Sequence, residues 1–369
     1  MTAKTAPRPS RVANIRFGVN SASGEYSLSV AKRQKADFAR KLPNLRRHFE
    51  TMFTKILITG ANGLLGQKLV VALTQVPGIQ VLATGRGPAR LPDGLLSKDW
   101  KQGSVVYRCM DMTNREEVAQ VIEGFGPDTL IHTAAMTQVD DCEKDPEACQ
   151  KRNVDAVQNL CDACLPLGTH IIHLSTDFIF DGLHGPYAEE AQPGPLSIYG
   201  KAKWEAERIV EAYPGPACIV RTVLVYGLAA DMSRTNIVLW VQKSLQEGKS
   251  LRIVSDQYRT PTLAEDLADG CLRIAKLGAT GIYNLSGGEF MTVFEMAQRI
   301  AHFLGLDASL LHPVTTAELG QPAPRPLRSG FIIDKAVRDL GYQPRTLEQG
   351  ITLLLQQESQ RTSNHLHEQ

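Results

Sequence analysis

The chain has 369 residues, 43% of them hydrophobic, which is enough apolar mass to bury a large core in more than one lobe. A formal net charge of +1 gives no reason to expect nucleic acid or a membrane surface as partner. There is no run of about 18 apolar residues to span a bilayer and no apolar stretch of a secretory signal in residues 1–30; the seven cysteines, an odd number, fit reduced thiols of a cytoplasmic protein rather than a disulfide framework.

Charge is unevenly spread. Residues 1–51 carry 11 Lys+Arg against 3 Asp+Glu, leaving 29 against 36 for the remainder. This basic stretch has no sustained apolar period. It fits a transit peptide or a basic binding arm, and equally an extension without fixed structure, the reading favoured here. Met52 stands directly before a good first strand, which suits an ancestral start at that point.

From residue 54 a strand–turn–helix rhythm sets in. Lys55–Thr59 reads as a buried strand, Leu64–Val76 as a helix, and Val81–Thr84 and Val105–Cys109 as strands. Glu116–Phe125 follows as a helix, Thr129–Thr133 as a strand, Pro146–Leu165 as one helix and His170–Leu174 as a strand. Apolar strands alternating with amphipathic helices imply a parallel sheet covered on both faces. Near residue 226 the rhythm loosens into helices (Ile237–Glu247, Val293–Leu304), short strands (Leu251–Val254, Gly281–Leu285) and the Pro-rich stretch Gln321–Pro326. Those segments predict a smaller lobe over the C-terminal edge of the sheet, where open α/β sheets bind ligands. The tail after Gln356 is polar and reads as frayed. Cys161 and Cys164 make a lone C-x-x-C without the further ligands that zinc needs, so they read as small residues of a helix face.

Between the first strand and the first helix lies Gly60-Ala61-Asn62-Gly63-Leu64-Leu65-Gly66. Glycines there allow a tight turn and close approach of backbone to a pyrophosphate, while the helix N-terminus attracts the anion. In this strand–turn–helix context the loop predicts a dinucleotide site. The fold class expected is therefore α/β, a Rossmann doubly wound parallel sheet with a smaller C-terminal α/β substrate lobe. Residues 52–225 form the NAD(P)-binding domain in this reading. Residues 226–352 supply most of the substrate-binding lobe, interleaved with that domain, and 353–369 form the polar tail. Dinucleotide sites that prefer NAD put an acid after the second strand, where this chain has Arg86. A guanidinium matches a 2′-phosphate in charge and fork geometry, so NADPH is favoured over NADH. Stacking on adenine, or simple exposure to water, is the other reading of Arg86.

Tyr199-Gly200-Lys201-Ala202-Lys203 places a phenol and an ammonium four residues apart on one helix face. A free tyrosine has a pKa of about 10, and a nearby cation is expected to lower it toward useful proton exchange. Upstream, Ser175-Thr176-Asp177 follows a strand end, where a hydroxyl can polarise a substrate carbonyl.

With these residues the chain resembles the extended short-chain dehydrogenases/reductases, and within them the dTDP-4-dehydrorhamnose reductase (sugar-nucleotide-binding) family. The resemblance covers about residues 54–352. It rests on the G-x-x-G-x-x-G loop, Ala134–Glu143, Ser175–Gly182, Asp256–Thr262, and Arg325-Pro326 through Pro344. It implies an NADPH-dependent reduction of a nucleotide-linked 4-keto-deoxysugar, as in dTDP-rhamnose biosynthesis. Thr176 would orient the carbonyl, Tyr199 would donate the proton, and Lys203 would hold the nicotinamide ribose and tune Tyr199. Gly60, Asn62, Gly63, Leu64, Leu65, Gly66 and Arg86 would bind the cofactor, with Asp111 and Met112 beside the adenine and Ala134 and Ala135 letting backbone pass close to it. Thr137, Val139, Asp140, Asn236 and Arg259 would line the sugar-nucleotide cleft. Arg259 is read equally as a diphosphate ligand or as a structural partner of Asp266.

Two departures stand near the expected sugar site. Met136 occupies a position where the family has Tyr, and the strand Arg221–Gly227 lacks the family's Trp. His132 and His173 read as core or loop histidines. Asp140, Asp141 and Glu143 read as an acidic helix start rather than a Mg²⁺ site. The same resemblance admits two further readings. One is an epimerase or another carbonyl reductase of this fold. The other is a non-catalytic subunit like the regulatory β subunit of methionine adenosyltransferase. Partners expected are a small nucleotide-sugar and a second copy of the chain.

Overall fold

A computed structural model describes residues 54–100, 104–231 and 235–367. The expectations for residues 1–51 lie outside these. Six parallel strands come first: β1 (Lys55–Thr59), β2 (Gln80–Gly85), β3 (Val105–Cys109), β4 (Thr129–His132), β5 (His170–Thr176) and β6 (Ala217–Thr222). Of the next four, β7 (Val225–Tyr226) pairs with β10 (Thr262–Leu263), while β8 (Leu251–Val254) and β9 (Tyr258–Arg259) await later partners. β11 (Gly281–Asn284) then returns to lie parallel to β6, and β12 (Met291–Thr292) and β13 (Leu311–Val314) pair with β9 and β8. The main sheet thus runs β11-β6-β5-β4-β1-β2-β3. Chain direction across the sheet reverses between β1 and β4, the switch point where such sheets bind ligands.

The uniformly apolar strands follow from burial on both faces. Ile56 and Ile58 of β1 join a core beneath helices α1 (Leu64–Thr74) and, later in the chain, Ala264–Leu277. Leu57 points the other way, toward α2 (Arg115–Phe125) and the helices after β4. Each such fully buried side chain contributes about 1.5–3 kcal/mol. Local signals set the helix ends. Asn114 caps α2 by accepting the Glu117 N–H at 3.1 Å, Glu116 and Glu117 sit in its first turn, and Gly126 (φ 63°) closes it in the left-handed region that favours glycine.

The segment read as one helix over 146–165 runs helical as α4 (Pro146–Gln150), a π-helical turn at Lys151–Asp155 and α5 (Ala156–Cys164), with the separate α3 (Val139–Lys144) just upstream. Cys161 and Cys164 are buried on α5 against the sheet. After β5 comes α6 (Ile198–Ala212), which carries Tyr199 and Lys203. The second lobe holds α7 (Ile237–Gln246), the β8–β13 pair, and a core shared with the last helices. Between its segments α8 (Ala264–Leu277) packs on α1, and β11 completes the main sheet. Gly281–Leu285, read from sequence with the smaller lobe, therefore belongs to the sheet, because Leu285 and Tyr283 bury against α8 in the same core as β1.

α9 (Val293–Phe303), opened by a Thr292–Glu295 capping box, is followed by α10 (Thr316–Leu319), α11 (Asp334–Leu340) and α12 (Leu347–His367). The polar tail is not frayed but helical through His367. Polar contacts hold it: Lys68 Nζ donates to Gln357 at 3.0 Å, Gln357 to Glu265 at 2.7 Å, and Arg361 to the Ala229 carbonyl at 2.9 Å. Among the described residues no helix is long and apolar enough to cross a membrane.

Candidate active site

A cleft of about 910 Å³ opens at the C-terminal ends of β1, β2, β4 and β5, between the sheet and the second lobe. The glycine loop forms its floor. Gly60 has φ 73°, and a Cβ there would stand 2.7 Å from the Ala134 amide nitrogen, so the loops after β1 and β4 touch backbone to backbone. A Cβ on Gly66 would run into the Gly60 carbonyl oxygen. No side chain caps the N-terminus of α1, and its first turn holds no acid. Backbone N–H groups and the positive helix end therefore face the cleft, a cradle that fits a pyrophosphate.

The floor continues to β2 and β3. The Asn62 side chain donates to the Pro88 carbonyl (2.9 Å) and meets the Tyr107 hydroxyl (3.0 Å), and it accepts the Arg90 N–H (2.7 Å). It thereby ties the turn carrying Arg86 to the glycine loop. Arg86 is exposed and, with Arg90, lines this end of the cleft. Asp111 accepts the N–H and hydroxyl of Thr113, both at 2.9 Å, and these bonds hold its carboxyl below the usual range. Gly63, Leu64, Leu65, Met112, Ala134 and Ala135 line the same wall.

At the other end the three candidate catalytic groups converge. Thr176, at the end of β5, donates to Asp177 at 3.1 Å and lies close enough to Tyr199 to act on its phenol. Ser197 caps α6 by accepting the Gly200 N–H at 3.1 Å, fixing the helix that presents Tyr199 and Lys203 inward. Burial pushes the Tyr199 phenol well above its ordinary value, against the pull of Thr176, while the Asp177 carboxylate adds to the rise. This corrects the expectation that Lys203 draws the phenol down. The Lys203 ammonium points at β5 instead, donating to the Leu174 carbonyl at 2.6 Å and meeting His173 Nε2 at 3.2 Å. Burial brings Lys203 down to about 8, with Glu207 and Cys149 opposing.

The expected substrate residues divide. Thr137, Val139 and Asn236 line the cleft, Asn236 also capping α7 by accepting the Leu239 N–H at 3.3 Å. Asp140 is turned away from it. Its carboxylate is gripped by the Arg325 fork at 2.8 and 3.1 Å and accepts the Ala323 N–H at 3.0 Å. Arg259 lines the cleft, but its donors are engaged. They go to the carbonyls of Tyr258, Leu327 and Pro326 and to Gln257, with Asp177 Oδ2 3.5 Å from Nε. Its partner is Asp177, not Asp266, which Arg345 takes. Among the described residues no three His, Cys, Asp or Glu side chains are placed to hold a metal ion.

Sequence reasoning missed Asn153. Its amide clamps Met136 at both ends, accepting the Met136 N–H at 2.7 Å and donating to the Met136 carbonyl at 3.0 Å. Asn153 lies within the π-helical turn, a feature that recurs at functional sites and that helical periodicity hides. Ser175, named in the sequence only as the neighbour of Thr176, has a buried hydroxyl at the cleft wall with no hydrogen-bond partner among the described residues. Leu224, in the strand where the resemblance calls for Trp, lines the cleft with φ 43°, a left-handed conformation costing about 1–3 kcal/mol.

The family model called RmlD substrate binding domain matches residues 54–360. The chain belongs to that family. Relatives of the RmlD family include a probable low-salt glycan biosynthesis reductase of Haloferax volcanii, 31% identical over 299 residues, which are 80% of this chain and 96% of that one. The methionine adenosyltransferase 2 subunit beta of Xenopus laevis is 32% identical over 277 residues, 74% of this chain and 78% of its own. Among solved structures, a dTDP-4-dehydrorhamnose reductase of Bacillus anthracis in complex with NADP superposes with a TM-score of 0.69 at 27% identity, over 83% of this chain and 100% of that one. Family and fold are those of extended short-chain oxidoreductases that use a nicotinamide cofactor.

Proposed function

We propose that the chain is an NADPH-dependent reductase of a nucleotide-linked 4-keto-deoxysugar. One observation carries the reading: Thr176, Tyr199 and Lys203 converge at one end of a single cleft whose other end is the glycine loop and Arg86. A bound nicotinamide supplies the hydride. Thr176 would orient the carbonyl by a hydrogen bond to its oxygen. Tyr199 would give its phenolic proton to that oxygen as the C–O group becomes an alcohol. Burial keeps the phenol protonated, and the strongly basic oxygen that forms as hydride arrives is what draws its proton. Arg86 would pair with the 2′-phosphate.

The test is NADPH oxidation, followed at 340 nm, with enzymatically generated dTDP-4-keto-6-deoxy-L-sugar. Wild type is expected to turn over and Tyr199→Phe to lose turnover while still binding NADPH. Turnover that survives in Tyr199→Phe would remove the proton-donor role. Similarity to a methionine adenosyltransferase subunit favours a second reading, a regulatory subunit that binds the dinucleotide without reducing a sugar. Stoichiometric copurification with a partner enzyme, together with no turnover on any keto-sugar, would decide for it. An epimerase of the same fold would instead interconvert sugars with no net NADPH oxidation.

A further inference from the structure

The Lys203 ammonium does not stand alone under the cleft. His173 Nε2 lies 3.2 Å from it, and the Leu174 carbonyl 2.6 Å. Both His173 and Lys203 are buried, at 0% and 3% exposure. A charged lysine has donors only, so Nε2 accepts and the imidazole proton sits on Nδ1, which has no hydrogen-bond partner among the described residues. The ring is held from behind. It stacks on His132 with centroids 5.1 Å apart, and His132 Nδ1 is 2.6 Å from the hydroxyl of Thr59, at the end of β1 beside the glycine loop.

Besides Cys149, the carboxylate near Lys203 is that of Glu207, one turn further along α6. Its carboxylate is taken by Arg221, with bonds of 2.7 to 3.3 Å in a pair fully removed from water. Glu207 therefore leaves the task of fixing the ammonium to β5. Burial and the neighbouring Lys203 charge keep His173 neutral, so it serves as an acceptor and not as a repelling cation.

We infer that His173 is a positioning residue, whose Nε2 holds the Lys203 ammonium against the end of β5 and leaves one N–H of that ammonium for the cleft. The inference rests on the reading of Lys203 as the group that holds the nicotinamide ribose. His173 touches neither substrate nor cofactor and acts through Lys203.

The test compares two ligands of unequal reach. NADPH spans both ends of the cleft, whereas adenosine 2′,5′-bisphosphate occupies the Arg86 end only. His173→Phe keeps a ring to stack on His132 but has no acceptor; His173→Gln restores one. Binding to the full chain is measured by calorimetry. His173→Phe should weaken NADPH about tenfold and leave adenosine 2′,5′-bisphosphate within about twofold, and His173→Gln should recover NADPH to within about threefold of wild type. In a Lys203→Met background the His173→Phe loss should vanish, since coupled residues are not additive. Should His173→Phe not fold, His173→Leu makes the same comparison. Equal loss of both ligands, no loss of either, or failure of Gln to recover binding overturns the proposal. A wild-type chain that binds neither ligand overturns the reading of the cleft and this proposal together; normal wild-type binding with an unaffected Phe variant overturns the proposal alone.

Discussion

Arg259 Nε lies 3.5 Å from Asp177 Oδ2, with both side chains almost wholly removed from water. Asp177 also accepts the Ser329 hydroxyl at 2.5 Å, and Arg259 holds the carbonyls of Pro326 and Leu327. The pair thus fastens the end of β5, where Thr176 stands, to the segment after the Pro-rich stretch. Burial raises the Asp177 carboxyl, and Arg259 is the chief influence keeping it charged. Removing one partner strands a buried charge, so Arg259→Met is expected to lose about 3–5 kcal/mol of stability. Ser329→Ala, which removes a single donor, should lose about 1–3 kcal/mol. Urea unfolding measures both. A loss below 1 kcal/mol in Arg259→Met would return Arg259 to the role of a ligand-binding residue.

Lys203 gives the site a pH limit. Its folded value of about 8 lies below the ordinary 10.5. Below pH 8 both folded and unfolded chains hold the proton, and the cost of burying the charge is fully present. Between about 8 and 10.5 the unfolded chain keeps a proton that the folded chain has lost, so this group makes stability rise with pH. In the proposed reaction the ammonium itself holds the nicotinamide ribose, so activity should move the other way. We expect kcat/KM for NADPH-dependent reduction to fall as pH rises through about 8 in the free enzyme. Lys203→Arg keeps a cation throughout that range, so any activity it retains should lack this alkaline limb. An unchanged limb in Lys203→Arg would assign it to another group.

What was legible in the sequence was whatever local pattern dictates. The apolar strand Lys55–Thr59, the glycine loop and the helix read over Glu116–Phe125 state their structure within a few residues. Tyr199 and Lys203 were legible because helical spacing alone puts them on one face. The rest depends on partners far away in the chain. β11 looks like any short strand until Leu285 meets α8 across the sheet core. Asp140 reads as a cleft residue at an acidic helix start, and only the return of the chain at Arg325, 185 residues later, turns it into a clamp. Arg259 reads equally as a diphosphate ligand or as a partner of Asp266, and nothing local reveals that Asp177 and carbonyls near residue 326 engage it. The direction of the Lys203 ammonium likewise depends on a histidine thirty residues upstream.

Arg86 offers a direct test of cofactor preference. It is exposed at the end of β2 beside Asp111, whose carboxyl is already occupied by Thr113. Directly after β2 the chain thus presents a guanidinium rather than an acid to a 2′-phosphate, while the Asp111 carboxylate stays ionised beside it. A charge-assisted hydrogen bond is worth about 1.5–3 kcal/mol, so Arg86→Ala should weaken NADPH roughly ten- to hundredfold. NADH, which lacks the phosphate, should change by less than about threefold. Nucleotide fluorescence titration separates the two, and the NADPH loss should shrink at high salt because the site is open to solvent. Equal weakening of both nucleotides would mean that Arg86 stacks on the adenine.

The Asp140–Arg325 pair straps the start of α3 to the Pro-rich stretch across the rim of the cleft. Arg325 is 13% exposed and Asp140 33%, so solvent screens the pair only in part. Arg325 holds the Asp140 carboxyl below its usual range, and planar fork geometry is something lysine cannot reproduce. The Ala323 N–H, bound to the same carboxylate at 3.0 Å, reports on the strap directly. Asp140→Ala should lose about 1 kcal/mol of global stability and speed hydrogen exchange at Ala323 by about tenfold, a local opening that needs no global unfolding. Arg325→Lys should do the same to a smaller degree. Because Val139 at the start of α3 lines the cleft and Pro326 holds Arg259, loosening the strap should raise KM for the proposed sugar substrate while leaving affinity for the proposed cofactor, NADPH, unchanged. Exchange at Ala323 that stays at the wild-type rate in Asp140→Ala would mean that the Pro-rich stretch is held by its other contacts, and the KM effect should then be absent as well.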